Sequence, residues 1–322
     1  MSLLEVKNLV KYYPSGGGVF SRQKDKVKAV DGVSFSLNRG ETVGLVGESG
    51  CGKSTLGRMI LRLEEPTAGK VVFNNIDLTG LAGKELRGLR KKIQIIFQDS
   101  YSSLNPIRTV GSTIGEPLVN FKVGTKKEHV KRVRELLETV GLKPEHNLRY
   151  PHEFSGGERQ RINIARALAL NPELVICDEP VSSLDVSIQA QILSLLQELK
   201  EQFGLSYLFI SHDLAAVSHI SDRVAVMYLG KIVEVLDSGN LEKACHPYTR
   251  ALLAAVPDAD PRRKNKKQII VKGEPPDPAN PPSGCRFHPR CPYAVEKCWV
   301  LEPQLEAVTI GRLAACHLAS DS

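Results

Sequence analysis

The first 46 residues alternate between apolar and polar positions, as half-buried β-strands do. The alternation runs through LLEVKNLVKYY and again through KAVDGVSFSLNRG, and SGGGVFSRQKDK between them is typical of a loop. We therefore predict that the chain begins with β-structure.

Four later apolar runs are predicted to be buried strands. ETVGLVGESG leads into glycines, and IQIIF (93–97), LVICD (174–178) and YLFIS (207–211) end in polar residues. Ligands of a doubly wound sheet bind at the carboxyl ends of its strands, so we expect these polar ends to converge. Residues 99–170 are mostly helical in pattern, for example KEHVKRVRELLETVG, and predict an inserted helical subdomain.

The composition changes at residue 257, where a proline-rich and charged stretch begins. We predict a main domain over 1–256, a linker over 257–284 and a tail over 285–322 that holds four of the seven cysteines. No apolar run approaches the roughly 20 residues that cross a bilayer, and no signal-peptide pattern is present, so we expect a soluble, intracellular chain. The net charge of +7 is spread along the sequence and gives weak support for a nucleic-acid or membrane-surface partner.

Residues 47–54, GESGCGKS, fit the phosphate-binding pattern G-x-x-x-x-G-K-[ST] and lie between a predicted strand and a predicted helix. Glycines let backbone N–H groups turn toward phosphates, Lys53 supplies a charge for the β- and γ-phosphates, and the Ser54 hydroxyl suits Mg²⁺. We name residues 47–54 the phosphate loop. The candidate nucleotide-binding residues here are Gly47, Glu48, Ser49, Gly50, Cys51, Gly52, Lys53, Ser54 and Thr55.

Polar residues at the ends of the other strands are candidates for catalysis. Asp178 would reach Mg²⁺ through water, and Glu179 would orient and deprotonate the attacking water. Gln98 can bind Mg²⁺ or hold that water, and His212 can donate to the γ-phosphate. Each alone could be an ordinary polar residue, but their shared position at strand ends indicates function. The candidate magnesium ligands are Ser54, Gln98 and Asp178, and the catalytic candidates are Glu179, His212 and Gln98.

A second anion-binding helix start is predicted at FSGGERQRINIARAL. Ser155, Gly156 and Gly157 directly precede the helix, whose free N–H groups and positive dipole end suit an anion. One nucleotide does not require two such helix starts. We therefore expect this one to complete the site of another copy.

In this order the motifs resemble those of ATP-binding-cassette (ABC) ATPases over residues 1 to about 240. GESGCGKS resembles the Walker A motif, IFQD the Q-loop, FSGGERQ the signature, LVICDEP the Walker B motif, SSLD the D-loop and SHD the switch histidine. The resemblance implies an α/β P-loop NTPase fold with an N-terminal antiparallel β-subdomain, an inserted α-helical subdomain and a head-to-tail dimer that sandwiches two ATP molecules. It also assigns adenine stacking to Tyr13, with Tyr12 as the alternative. The signature departs from the usual LSGGQ at Phe154 and Glu158, and Glu158 adds a negative charge near the nucleotide.

Longer stretches are similar to the ATPase subunits of bacterial dipeptide and oligopeptide permeases, nearer the F-type than the D-type subunit. They are QDSYSSLNP, YPHEFSGGERQRI, DEPVSSLDVSIQAQI, HPYTRALLAAVP and GCRFHPRCPYA. The similarity implies ATP-driven peptide import, a D–F heterodimer (or a homodimer in isolation) under two membrane subunits, an external peptide-binding protein, and a peripheral place on the cytoplasmic face of the bacterial plasma membrane. A groove near Gln98 and QDSYSSLNP would receive a short helix of a membrane subunit, although a plain turn also explains that loop.

The tail has the spacing C-x5-C-x6-C-x17-C, at Cys285, Cys291, Cys298 and Cys316. Four thiolates suit a [4Fe–4S] cluster or Zn²⁺, and the absence of tight C-x2-C pairs favours the cluster. Related permease ATPases carry such a cluster, which the resemblance extends to this tail, with spare thiols as the alternative. A structural role is expected, and a redox sensor is the other option.

Two other functions are alternatives to peptide import. A soluble ABC ATPase acting on nucleic acid or ribosomes, with a zinc-binding tail, would explain the basic surplus. Such proteins usually carry two cassettes or a coiled-coil insertion, which do not appear here, so no nucleic-acid partner is expected. A non-hydrolytic ATP-gated protein should lack Glu179, which is present.

Overall fold

The computed structural model describes residues 2–14, 26–99, 101–256, 271 and 273–319. Nearly all of the predicted loop SGGGVFSRQKDK and the first half of the predicted linker lie outside the described residues. None of the helices within the described part of the chain has the length and apolar character needed to span a bilayer.

The described elements alternate between strands and helices along most of the chain. The strands are β1 Ser2–Pro14, β2 Lys26–Asn38, β3 Thr42–Val46, β4 Ala68–Phe73, β5 Ile76–Asp77, β6 Ile93–Ile96, β7 Leu174–Asp178, β8 Ser206–Ser211, β9 Arg223–Tyr228, β10 Lys231–Asp237, β11 Glu306–Thr309 and β12 Arg312–Ala314. The α-helices are α1 Lys53–Ile60, α2 Gly83–Arg90, α3 Val110–Asn120, α4 Lys126–Thr139, α5 Gly156–Leu168, α6 Val186–Phe203, α7 Leu214–Ile220, α8 Pro247–Ala255 and α9 Glu296–Val300.

The chain divides into two compact units, which are described separately. The phosphate-loop unit contains Ser2–Leu37, Thr42–Thr79 and Ser211–Ser322, and the helix-rich unit contains Asn38–Glu41 and Gly80–Ile210. These two units differ from the domains predicted from the sequence, 1–256, 257–284 and 285–322, and those domain boundaries stay a prediction.

The phosphate-loop unit contains the predicted N-terminal strands in a four-stranded sheet of order β2-β1-β4-β5. Strand β1 runs antiparallel to β4, with Leu4 opposite Phe73 and Val6 opposite Val71. These four side chains are buried, which explains the alternating pattern of the first residues.

Five further strands of the same unit lie in the order β11-β12-β10-β9-β3. Strand β3 is parallel to β9, whereas β9, β10, β12 and β11 pair antiparallel. Every residue of β3 is buried, as a continuous apolar run predicts. Strands β11 and β12 belong to the cysteine-rich tail, so the tail extends this sheet through the pairing of Ala314 with Glu234.

The helix-rich unit contains three parallel strands in the order β8-β7-β6. The predicted strand LVICD coincides with β7, and IQIIF and YLFIS are found as β6 and β8 with ends shifted by one residue. Helices α3, α4 and α5 lie within the stretch that the sequence predicts to be mostly helical. Thr125 begins α4 with a capping box, in which its side chain and that of Glu128 bond each other's backbone N–H groups.

Candidate functional site

The phosphate loop runs from the buried end of β3 to the start of α1, and close backbone approach requires two of its glycines. A Cβ at Gly47 would lie 2.1 Å from the Met227 carbonyl oxygen. A Cβ at Gly52 would lie 2.0 Å from the Ala29 carbonyl oxygen, and Gly52 also has a φ of +107°. Side chains at these positions would push the loop off the strands behind it.

Lys53 is 4% exposed and folds back over its own loop. Its ammonium donates to the carbonyl oxygens of Gly47 at 2.8 Å and Glu48 at 3.0 Å. The positive charge is thus held within the loop by backbone acceptors, which phosphate oxygens would replace with stronger charge-assisted bonds. Ser49, Gly50 and Cys51 complete the loop, and Ser54 and Thr55 lie in the first turn of α1.

Cys51 is a buried part of the loop. Burial raises the pKa of its thiol, and its carbonyl oxygen accepts the Gly230 N–H at 2.9 Å. A buried thiol kept protonated is unreactive, so its environment is that of a small packing residue.

The two candidate adenine-stacking tyrosines face different neighbours within the phosphate-loop unit. Tyr13 donates its hydroxyl to Glu64 and is hydrogen-bonded to Thr55 of α1. Tyr12 donates to Asp31 on β2, and burial together with this bond raises the pKa of Tyr12 to about 12. Its contact with α1 places Tyr13 beside the helix that follows the phosphate loop, which favours Tyr13 over Tyr12.

His212 lies directly after β8 and is exposed. The next residue, Asp213, caps α7 by accepting the N–H groups of Ala215 and Ala216. His212 therefore lies directly after a strand end, where the sequence predicts it, and also directly before a helix start.

In the helix-rich unit, Gln98 and Glu179 are brought together. The amide of Gln98 donates to the Glu179 carboxylate at 3.0 Å, although 81 positions separate the two residues. Glu179 is 9% exposed and has a φ of +49°, and its N–H donates to the Ile210 carbonyl oxygen at 2.9 Å. A non-glycine residue held in this region costs about 1 kcal/mol or more, and such strain concentrates at functional sites. The neighbouring Asp178 is buried at the end of β7.

The predicted signature begins α5 with a capping box. Ser155 accepts the Glu158 N–H, while the Glu158 carboxylate accepts both the N–H and the hydroxyl of Ser155 at 2.9 Å. The bond from the Ser155 N–H lowers the pKa of Glu158 despite partial burial, so Glu158 is charged at neutral pH. The extra negative charge predicted near the nucleotide therefore lies over the first turn of α5 and engages the Ser155 hydroxyl.

The first turn of α5 packs closely at its two glycines. A Cβ at Gly157 would lie 2.5 Å from the Ile188 side chain, and one at Gly156 would lie 3.3 Å from Leu184. Leu184 belongs to the SSLD segment, so this helix start packs against the predicted D-loop.

Side chains along α5, from Arg159 to Arg166, contact the loop QDSYSSLNP. Arg166 donates to the Ser103 carbonyl oxygen at 2.7 Å, and the Ser103 hydroxyl donates to Asn163 at 3.1 Å. The guanidinium of Arg159 lies 5.4 Å from the ring centre of Tyr101. Hydrogen bonds and a cation–π contact thus link the signature helix α5 to the loop after Gln98.

The four tail cysteines share one neighbourhood and form no disulfide. Burial, together with the other three tail thiols, raises the pKa of Cys285 to about 11. Cys291 and Cys316 have pKa values raised by burial and by neighbouring tail thiols, and the Cys285 N–H donates to the Cys298 carbonyl oxygen at 2.8 Å. Within the described ranges, however, no three or more His, Cys, Asp or Glu side chains are arranged to hold a metal ion. In this arrangement the thiols do not form a metal-ligand set, so the predicted cluster rests on the cysteine spacing of the sequence alone.

Sequence reasoning missed two contacts that the C-terminal part of the chain makes with the phosphate loop. The Glu48 N–H donates to the Tyr248 hydroxyl at 2.8 Å, and Arg290 forms two hydrogen bonds with the Glu48 carboxylate. The stretches that hold these residues, HPYTRALL and GCRFHPRCPYA, show a resemblance to permease ATPases, and the second contains cysteines, but neither feature predicts a contact with the phosphate loop. An arginine next to a cysteine carries no signal of its distant partner.

Comparisons with known proteins identify the family of the chain. Residues 30–182 match the ABC transporter family, and residues 233–298 match the C-terminal region of oligopeptide/dipeptide transporters. The chain is 54% identical over 322 residues to the oligopeptide transport ATP-binding protein AppF of Bacillus subtilis, covering 99% of this chain and 98% of that protein. It is 52% identical over 321 residues to the putative oligopeptide transport ATP-binding protein YkfD of the same species, covering 99% of this chain and 96% of that protein.

A solved structure also resembles the chain. It is an ATP-binding cassette captured as a dimer in a post-hydrolysis state with ADP and Pi, with a TM-score of 0.65 and 31% identity. The match covers 73% of this chain and 98% of that chain. The chain therefore belongs to the ABC transporter family, among the ATP-binding proteins that carry the oligopeptide/dipeptide transporter C-terminal region.

Proposed function

We propose that this chain binds and hydrolyses ATP to energise the import of dipeptides and oligopeptides through a membrane ABC transporter. The observation that carries the hydrolytic part is the Gln98–Glu179 pair, since it places a carboxylate and an amide side by side at adjoining strand ends. Peptide import is supported by similarity along nearly the whole chain to relatives named for oligopeptide transport.

The proposed roles of the nucleotide-site residues follow from their chemistry. Lys53 and the N–H groups of the phosphate loop would bind the polyphosphate, and Tyr13 would stack on adenine. The hydroxyl, amide and carboxylate oxygens of Ser54, Gln98 and Asp178 suit Mg²⁺, which would neutralise charge on the phosphates. Glu179 would take the proton of the attacking water while Gln98 holds the carboxylate in place and His212 donates to the γ-phosphate.

We also propose that two ATPase chains act together. The N–H groups of Ser155, Gly156 and Gly157 at the start of α5 would bind the nucleotide of the partner, because a helix start attracts anions. ATP then favours the closed pair by binding to both chains at once, and hydrolysis releases it. In the cell the partner would be a D-type subunit, and in isolation a second copy.

The membrane partners would be two permease subunits fed by an external peptide-binding protein. The loop after Gln98 would receive a short helix of a permease subunit, since Tyr101 and Ile107 are exposed there. The contacts of Arg166 and Asn163 with Ser103 would carry movement of that loop to the signature helix. This arrangement implies a peripheral position at the cytoplasmic face of the bacterial plasma membrane.

The tail cysteines are proposed to bind a [4Fe–4S] cluster, with Zn²⁺ as the alternative. The support is the four-cysteine spacing C-x5-C-x6-C-x17-C in the sequence, and binding would require the thiols to converge and lose their protons. Anaerobic purification should yield about four irons and four acid-labile sulfides per chain, and Cys298→Ser should lower both. Cys177→Ser is the matched control, as this cysteine lies in β7 of the helix-rich unit. One zinc without sulfide would support the alternative, and the absence of all three would refute both.

A soluble ABC ATPase that acts on nucleic acid or ribosomes is not favoured, because the full-length relatives are named for peptide transport. Uptake of labelled peptides tests the proposal in the cell that carries this chain. Deletion of its coding sequence should abolish ATP-dependent uptake, and re-expression of the wild type or of Glu201→Gln should restore it. Re-expression of Glu179→Gln should not. Unchanged uptake after deletion would contradict peptide import.

A further inference from the structure

Glu48, in the phosphate loop, is held at three points within the phosphate-loop unit. Its carbonyl oxygen accepts a hydrogen bond from Lys53, and its N–H donates to the Tyr248 hydroxyl at 2.8 Å. Its carboxylate accepts two hydrogen bonds from the guanidinium of Arg290, at 2.9 and 3.1 Å. Two of these three partners come from the C-terminal region of the chain.

Arg290 is well placed to hold a carboxylate. Its side chain is 9% exposed, and one of its nitrogens also lies 3.4 Å from the Tyr228 hydroxyl. Two parallel bonds between a guanidinium and a carboxylate are among the strongest and most directional hydrogen bonds in proteins. The pair therefore fixes the position of the Glu48 side chain and neutralises its charge.

The segment that carries Arg290, from Cys285 to Cys291, is itself anchored. The buried Arg286 donates to the Asp31 carboxylate and to the Leu229 carbonyl oxygen. Phe287 is fully buried, with its ring centre 5.2 to 5.7 Å from three other rings, those of Tyr228, Tyr248 and His246. The segment is thus anchored at Arg286 and Phe287, so it can act as a rigid support for Arg290.

The carboxylate of Glu48 would oppose binding if it stood alone. A nucleoside triphosphate brings several negative charges to the phosphate loop, and a like charge at close range repels them. Pairing with Arg290 removes this repulsion before the nucleotide arrives.

We propose that the segment Cys285–Cys291 and Tyr248 of α8 together clamp the phosphate loop. Arg290 and Tyr248 are positioning residues that neutralise and orient Glu48 for binding of the nucleotide polyphosphate. The inference rests on the proposed function, since it assumes that the loop binds MgATP. The clamp goes beyond the proposed function because it gives the C-terminal region a role in nucleotide affinity.

Equilibrium binding of MgATP to the full chain tests the clamp. Arg290→Gln leaves the Glu48 charge unpaired, so the Kd for MgATP should rise about tenfold, and the KM for ATP should rise more than kcat falls. Arg290→Lys retains the charge but not the paired geometry, so it should give an intermediate Kd. Tyr248→Phe removes only the acceptor of the Glu48 N–H and should raise Kd by about threefold.

The decisive variant is Glu48→Gln combined with Arg290→Gln. It leaves no unpaired charge beside the loop, so Kd should return most of the way to the wild-type value. This double variant also keeps the test valid if Arg290→Gln alone folds poorly. Arg312→Gln is the matched control, because this tail arginine donates to the Lys243 carbonyl oxygen and touches no part of the phosphate loop.

The outcomes separate this inference from the proposed function. Wild-type chain that does not bind MgATP would overturn both. Wild-type chain that binds, with Arg290→Gln equal to it in Kd and altered only in melting temperature, would overturn the clamp alone. Failure of Glu48→Gln to restore affinity in the Arg290→Gln background would also overturn it.

Discussion

Acid should weaken the folded state through one buried histidine of the C-terminal region. His246 is 1% exposed, and its Nδ1 accepts the Tyr248 N–H at 3.1 Å as the cap of α8. A protonated imidazole has no acceptor for this bond. Burial lowers the pKa of His246 from 6.5 to about 3, so the folded chain keeps this side chain neutral.

The direction of the effect follows from that lowered pKa. Below pH 6.5 the unfolded chain binds a proton at this histidine, whereas the folded chain does not until about pH 3. The contribution to stability is therefore complete above pH 6.5 and is lost as the pH falls. Each pH unit below 6.5 should remove about 1.4 kcal/mol from the free energy of unfolding.

Urea unfolding between pH 7.5 and 5.0 measures this contribution when wild type is compared with His246→Asn. Asparagine retains a cap acceptor but does not titrate, so the stability of wild type relative to the variant should fall by about 1.4 kcal/mol at pH 5.5. The buried Glu234, which accepts the His246 N–H, has a raised pKa, but it is present in both proteins and cancels in the difference. His152→Asn, at an exposed histidine, is the control. Identical pH dependence in wild type and His246→Asn would refute the reasoning.

Two further predictions concern the nucleotide loops. Glu158→Gln keeps a side chain that caps Ser155 but removes the negative charge near the partner's nucleotide. The ATP-dependent association of two chains, measured by light scattering, should therefore strengthen by about threefold. Unchanged association would contradict the proposed effect of the Glu158 charge. Gly52→Ala would place a Cβ 2.0 Å from the Ala29 carbonyl oxygen at a φ of +107° and should abolish MgATP binding. Gly50 also has a positive φ, but a Cβ there would have open space around it, so Gly50→Ala should retain measurable MgATP binding. An equal loss of binding in both variants would show that the close contact with Ala29 is not the cause.

Much of the strand framework could be predicted because apolar runs identify buried strands without knowledge of their partners. LVICD is a buried strand, and the polar residues after two strands, Gln98 and Glu179, are in contact. Parallel strands bring their carboxyl ends to one edge, so position along the chain was sufficient there.

The contacts of the C-terminal region could not be predicted in the same way. Strands β11 and β12 have four and three residues, too few to show a periodic pattern. The Arg290–Glu48 pair joins residues 242 positions apart, and it depends on the packing of Phe287 rather than on any local preference. Sequence spacing predicts the tail cysteines as ligands, whereas side-chain geometry decides whether three of them can meet at one metal.

If this chain hydrolyses ATP with Glu179 as the base, loss of that carboxylate should stop turnover but not nucleotide binding. ATP turnover and light scattering are measured on wild type, Glu179→Gln and the exposed control Glu201→Gln. Turnover in Glu179→Gln should fall at least about 100-fold while MgATP-bound dimers accumulate, because binding survives the loss of the base. Wild-type turnover in Glu179→Gln would contradict the account.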